Sequence, residues 1–384
     1  MIYLDNSATT KTYPQVVKAM TEALIEGFGN PSTLYRLGLD AEKAVKAARK
    51  SVAKSIGASE QEVFFTSGGT ESDNTAIFGA WEARKKQGKR IISTAVEHPA
   101  VLRCLDALKS KGADIVLLPV RRDGSLDMEA FRQALTADTI LVSVMHVNNE
   151  TGAIFPVEEI ASVLSEFSKK NGIARPLLHS DCVQSYGKLP LDAAKLGVDM
   201  LSVSAHKVHG PKGIGALYVK KCVHIPPLIY GGGQEAGFRS GTENVPAILG
   251  FGAAAELIKP QRFEARDYLR DRILNGIPDV VINSPEDGCS SVLNVSFVGC
   301  RAEVLLHQLE QDEIYVSTGS ACSSKDKGSH VLSAMGLKPE EIEGAVRFSF
   351  SAENTKEEMD IVMDKLSAYV AGQRRLRNAF KKKK

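Results

Sequence analysis

Met200-Leu201-Ser202-Val203-Ser204-Ala205-His206-Lys207-Val208-His209-Gly210-Pro211-Lys212-Gly213-Ile214-Gly215 opens on a short apolar run and breaks into a polar, glycine-rich turn. The run has the length of a buried strand, and the turn sets a lysine directly after it. Five similar runs precede it: Glu62-Val63-Phe64-Phe65, Arg90-Ile91-Ile92, Asp114-Ile115-Val116-Leu117-Leu118, Ile140-Leu141-Val142-Ser143-Val144 and Leu177-Leu178-His179. Amphipathic helical patterns over 39–56, 70–87 and 156–170 lie among them. Short apolar strands separated by helices predict an α/β domain around a largely parallel sheet. In such sheets ligands bind beyond the carboxyl ends of the strands, so the residues just after each run are the first candidates for chemistry.

Gly231 to Thr242, rich in glycine, closes this region. From about residue 245 a long helical pattern, the strands Val292 to Phe297 and Val346 to Phe350, and a final helix near 355–373 predict a smaller α+β domain. Lys381 to Lys384 read as a solvated, disordered tail. The 384 residues suggest two to three domains, and 43% hydrophobic with 24% charged residues exclude general disorder. A net charge of +2 is too near neutral to imply a nucleic-acid or anionic-membrane surface. No apolar run approaches the roughly 20 residues of a membrane span, and Met1-Ile2-Tyr3-Leu4-Asp5-Asn6 is not a leader, so a cytoplasmic location is expected. Cys104, Cys182, Cys222, Cys289, Cys300 and Cys322 lack CxxC spacing, which argues against a disulfide framework or a structural zinc site.

Four strand ends carry candidate chemistry. Lys207, flanked by Ser204 and His206, sits where an amine can be desolvated beside a cofactor. After Phe64-Phe65 comes Thr66-Ser67-Gly68-Gly69-Thr70-Glu71-Ser72-Asp73-Asn74, whose helix-opening N–H groups and Thr70 hydroxyl suit a phosphate, although Gly-Gly-Thr alone is equally turn chemistry. Asp181 follows the run 177–179 with Gln184 one turn later; the carboxylate suits a protonated pyridine nitrogen and the amide a ring oxygen, while a strand-end Asp is otherwise a helix cap. His98, in Glu97-His98-Pro99-Ala100, offers a flat imidazole for stacking and proton transfer. Taken together these four describe a pyridoxal phosphate site.

On these and further stretches the chain resembles the cysteine desulfurases of the NifS/IscS type, class-V aminotransferase relatives within fold type I of the pyridoxal phosphate enzymes. The resemblance runs over essentially the whole chain. It includes Tyr3-Leu4-Asp5-Asn6-Ser7-Ala8-Thr9-Thr10, Met145-His146-Val147-Asn148-Asn149-Glu150-Thr151-Gly152, Arg239-Ser240-Gly241-Thr242 and Gly319-Ser320-Ala321-Cys322-Ser323-Ser324. It implies a large domain over 13–245 with a mainly parallel seven-stranded sheet between helices, and a small α+β domain from 1–12 and 246–375, with 376–384 as a basic tail. Lys207 would bind the cofactor covalently, and Gly69, Thr70, Ser204 and His206 would hold its phosphate, joined by Thr242 of a second subunit in a homodimer. Asn149 and Gln184 would contact the ring oxygen, Asp181 the ring nitrogen, and His98 would stack on the ring. Arg347 would grip the substrate carboxylate, aided by Asn149. Lys207, His98 and Cys322 would be catalytic, with Cys322 taking sulfur from L-cysteine as a persulfide.

Cys322 sits among small polar residues, the setting of a presented thiol rather than a packed one. No intrinsic metal is implied; Cys322 would at most be a transient iron–sulfur ligand with a scaffold partner. Expected acceptors are an iron–sulfur scaffold or a tRNA-thiolation protein, with no direct nucleic-acid or membrane contact. His209 stands where the family often has Tyr. The competing readings are a fold type I aminotransferase, which needs no presented thiol, and a non-catalytic scaffold protein.

Overall fold

The computed structural model describes residues 1–318 and 328–381. Its main sheet has seven strands in the order Val63–Thr66, Gly215–Val219, Met200–Ser204, Leu177–Asp181, Thr139–Ser143, Arg90–Thr94, Asp114–Leu118. Neighbours pair in parallel except Gly215–Val219, which runs antiparallel to both strands beside it. The apolar runs of the inner strands are continuous because both faces are covered, while the edge strand Asp114–Leu118 stays partly exposed. Ile92, Val142, Leu178 and Leu201 enter a core on one face, and Ile91, Leu141, Leu177 and Met200 a second core on the other. The expected helices form as Arg36–Ser55, Gly69–Arg84 and Val157–Asn171; the last stops at Gly172, whose φ of 64° suits the left-handed cap.

A third core packs a three-stranded antiparallel sheet, in the order Ala345–Ser349, Val292–Phe297, Val280–Ile282. It joins Leu4, Leu293, Phe348 and Leu366. The chain's opening belongs here, since Ile2–Tyr3 pairs in parallel with Ile314–Tyr315. The last helix, expected near 355–373, spans Lys356–Lys381, so residues 376–381 of the expected basic tail are helical. No glycine or proline follows Gly372 to stop it, Lys and Arg are good helix formers, and Arg374 anchors it by donating to the carbonyls of Val298, Pro278 and Asp279 at 3.0, 2.7 and 2.8 Å. No described helix is long and apolar enough to cross a membrane.

Candidate active site

The carboxyl ends of the parallel strands converge on one rim, and the expected residues follow them. Lys207 closes the short 3-10 turn Ala205–Lys207 directly after Met200–Ser204. Its Nζ donates to the carbonyls of Ser7 and Ala8, the latter at 2.8 Å. The turn is stitched to the same opening segment: the Thr10 N–H reaches the His206 carbonyl at 2.9 Å, and His206 Nδ1 lies 3.2 Å from the Thr9 hydroxyl. Burial, then the charges of Lys188 and Arg347, push the Lys207 amine down to about 7, against the pull of Asp5 and Asp181. An amine so lowered is neutral, hence nucleophilic, over much of the physiological range.

Asp181 ends the strand Leu177–Asp181 and is buried, with Oδ1 accepting from the Val183 N–H at 2.9 Å. Burial raises its carboxyl, and His98, that N–H and Lys207 draw it back down. A second buried carboxyl, Asp73, lies behind it, raised by burial and then by Asp181 itself. Two adjacent carboxyls in a dry site do not both ionise, and Asp181 has the favourable partners, so Asp73 keeps the proton. His179, between the hydroxyls of Ser143 and Ser202 at 2.9 and 3.0 Å, is lowered to about 3 by burial and stays neutral.

His98 is the N-cap of the helix Pro99–Lys109. Its Nδ1 accepts from the Ala100 N–H at 3.2 Å, so the neutral ring carries its proton on Nε2. Burial lowers its pKa and Asp181 opposes the shift. Gln184 donates to the Ser7 carbonyl at 3.0 Å, and its Oε1 is buried without a partner. Gly69 and Thr70 open the helix Gly69–Arg84 after Gly68, whose φ of 153° and ψ of −178° suit only glycine. A Cβ built on Gly69 would stand 2.7 Å from Val183 Cγ2 and 3.9 Å from Ser204 Cβ, which puts the helix start beside the end of the lysine strand.

Arg347, on Ala345–Ser349, is 3% exposed. It donates from Nη2 to Asp5 at 2.7 Å and from Nη1 to the Asn149 carbonyl at 3.0 Å. Thr242 is exposed on the glycine-rich segment, and among the described residues no hydrogen bond joins it to the others. That segment is pinned by Arg239 to Glu71 in the first turn of Gly69–Arg84 at 2.9 Å, and by Glu235 to Arg49 at 2.6 Å. Cys322 lies outside the described residues. Sequence reasoning missed the roles of Asp5, Ser7 and Ala8; their stretch was quoted only as a likeness, and two of the three act through backbone carbonyls.

These residues fit pyridoxal phosphate. The site offers a buried neutral amine, a buried carboxyl beside His98 and Lys207, and an orphaned amide oxygen. A Cβ built on Gly68 meets nothing within 4 Å, so open space lies over the helix start.

A lysine-bearing α/β sheet of this form, with a second sheet bringing an arginine to the same rim, is the architecture of the class-V aminotransferases. The model of that family matches residues 2–362, and the chain belongs to it; these families are in general pyridoxal phosphate enzymes. Within it, the chain is 43% identical over 386 residues to the cysteine desulfurase IscS of Clostridium botulinum strain Hall, covering 98% of this chain and 96% of the relative. Among solved structures it is similar to a NifS-like protein, with a TM-score of 0.88, 38% identity and coverage of 96% and 99%. It is also similar to SspA in complex with cysteine, with a TM-score of 0.81, 34% identity and coverage of 91% and 99%.

Proposed function

We propose that the protein is a pyridoxal 5'-phosphate-dependent cysteine desulfurase that moves the sulfur of L-cysteine onto Cys322 and releases L-alanine. The observation that carries this reading is the Lys207 amine, buried to near neutrality beside Asp181 at the strand ends. Relatives named cysteine desulfurase along nearly the whole chain support it.

Lys207 would hold the cofactor covalently. Gly69, Thr70, Ser204 and His206 would cradle its phosphate, with Thr242 supplied by a second copy. Asp181 would face the ring nitrogen, His98 one ring face, and Asn149 and Gln184 the ring oxygen. When bound, the cofactor supplies an electron sink for the bonds at the substrate Cα. Arg347 binds the substrate carboxylate as a charge-assisted pair. The Lys207 amine would take the Cα proton and later return it to Cα, an exchange its lowered pKa suits. The Cys322 thiolate attacks the substrate Sγ: the S–S bond forms as the Cβ–Sγ bond breaks, the electron pair returns to carbon, and Cβ gains a proton to become the alanine methyl. The Nε2–H of His98 is the proton source at the sulfur steps.

On this reading residues 13–245 form the cofactor domain, and 1–12 with 246–375 a smaller domain carrying Arg347 and Cys322. The enzyme works in the cytoplasm and passes sulfur to an iron–sulfur scaffold or a tRNA-thiolation protein. Product analysis with L-cysteine and a thiol reductant tests it: alanine and sulfide in equal amounts are expected, whereas pyruvate with pyridoxamine phosphate would mark an aminotransferase.

A further inference from the structure

Lys188, in the turn after the strand Leu177–Asp181, has no part in the assignments above. It is 7% exposed, and among the described residues it has no ion-pair partner. A lysine so buried is rare without a carboxylate beside it. Its hydrogen bond goes to the Lys207 carbonyl, at 3.3 Å.

That carbonyl is the one its own turn leaves over. In Ala205–Lys207, the Ala205 carbonyl accepts the N–H groups of Val208 and Gly210, both at 3.0 Å. The His206 carbonyl accepts the Thr10 N–H at 2.9 Å and the Thr10 hydroxyl at 3.0 Å. Among the described residues only the Lys188 ammonium donates to the third.

We propose that Lys188 is a positioning residue, which holds the Lys207 turn by its carbonyl and sets a second positive charge beside the Lys207 amine. The inference rests on the reading of Lys207 as the reactive amine. The groups facing that amine are Lys188, Arg347, Asp5, Asp181, His98 and His206. Lys188 itself faces His206, His209 and Cys289, of which none is a carboxylate. Without Lys188, two carboxylates oppose one guanidinium, and the Lys207 amine keeps its proton to higher pH. With an effective dielectric near 20, a unit charge several ångström away moves a neighbour by roughly one pH unit or more. Burial lowers Lys188 to about 8, so below that pH it carries the charge this role requires.

The test uses the full-length apoprotein and trace acetic anhydride from pH 6 to 10, with acetylation of Lys207 followed by peptide mass spectrometry. Lys188→Met removes donor and charge, Lys188→Gln keeps a donor without charge, and Lys188→Arg keeps both. The expected result is a Lys207 midpoint moved up by about one pH unit or more in the Met and Gln variants and unmoved in the Arg variant. Wild-type midpoints in both Met and Gln variants would overturn the inference, as would an Arg variant displaced as far as Gln. If the Met variant fails to fold, the Gln and Arg variants decide alone. Because the titration is read without cofactor, its failure is distinct from a failure to find cofactor on Lys207, which would sink the proposed function instead.

Discussion

An amine held neutral by burial costs the folded protein stability, and replacing it should return that stability. Lys207 is lowered from 10.5 to about 7, first by burial and then by Lys188 and Arg347. At about 1.4 kcal/mol per pH unit, this corresponds to about 4–5 kcal/mol of preference for the unfolded apoprotein at low pH. Lys207→Met removes that preference and also the hydrogen bonds to Ser7 and Ala8, which offset it by about 1–3 kcal/mol. The net expectation is an apoprotein stabilised by about 1–4 kcal/mol at pH 7. Between pH 7 and 10.5 the unfolded chain binds more protons at this lysine than the folded one, so wild-type stability climbs with pH across that window. The advantage of the variant is therefore greatest at pH 7 and below, shrinks as the pH rises, and reverses near pH 10, where the lost hydrogen bonds outweigh what is left of the charge penalty. Urea denaturation of cofactor-free wild type and Lys207→Met at pH 7, 8.5 and 10 measures it. A variant less stable than wild type at pH 7, or a difference independent of pH, would refute the reasoning.

Arg347→Lys exchanges a fork for a single ammonium, and KM for L-cysteine should rise by about 10–100-fold while kcat changes much less; equal KM values would remove Arg347 from the carboxylate site. Gly68→Ala forces a side chain into a backbone conformation only glycine adopts, and should cost about 1–3 kcal/mol in urea melts together with cofactor affinity; an undiminished melt would show that the helix start is not strained. If Thr242 completes a second copy's phosphate site, the active species is a dimer in sedimentation at assay concentration, and a fully active monomer would contradict that role.

How far the molecule was legible follows from where its signals lie. Six strands of the main sheet stood out as apolar runs, most of them because both their faces are buried; the edge strand Asp114–Leu118 is apolar in sequence although partly exposed. The seventh, Gly215–Val219, begins with Gly and Ala directly after the glycine turn, and its apolar signal is diluted there. Ile2–Tyr3, Val280–Ile282 and Ile314–Tyr315 are too short to announce themselves, and two of them exist only by pairing distant parts of the chain. Lys207, Asp181 and His98 were readable because strand ends are where such sheets hold ligands. The carbonyls of Ser7 and Ala8 have no side-chain signature, and Lys188 reads as one more surface lysine until its burial is seen. The reading of Cys322 rests on sequence and resemblance.

Sulfur transfer to one named thiol is the step that separates this enzyme from every other use of the same cofactor site. Mass spectrometry of the cofactor-loaded protein after brief exposure to L-cysteine, in wild type and Cys322→Ser, locates that sulfur. One added sulfur atom on Cys322 is expected in wild type. The Ser variant should show none, stay yellow and release almost no sulfide, because a hydroxyl is far less acidic than a thiol near ~8.5 and is no soft nucleophile. Persulfide on Cys182 or Cys104, or normal sulfide turnover by Cys322→Ser, would contradict the assignment.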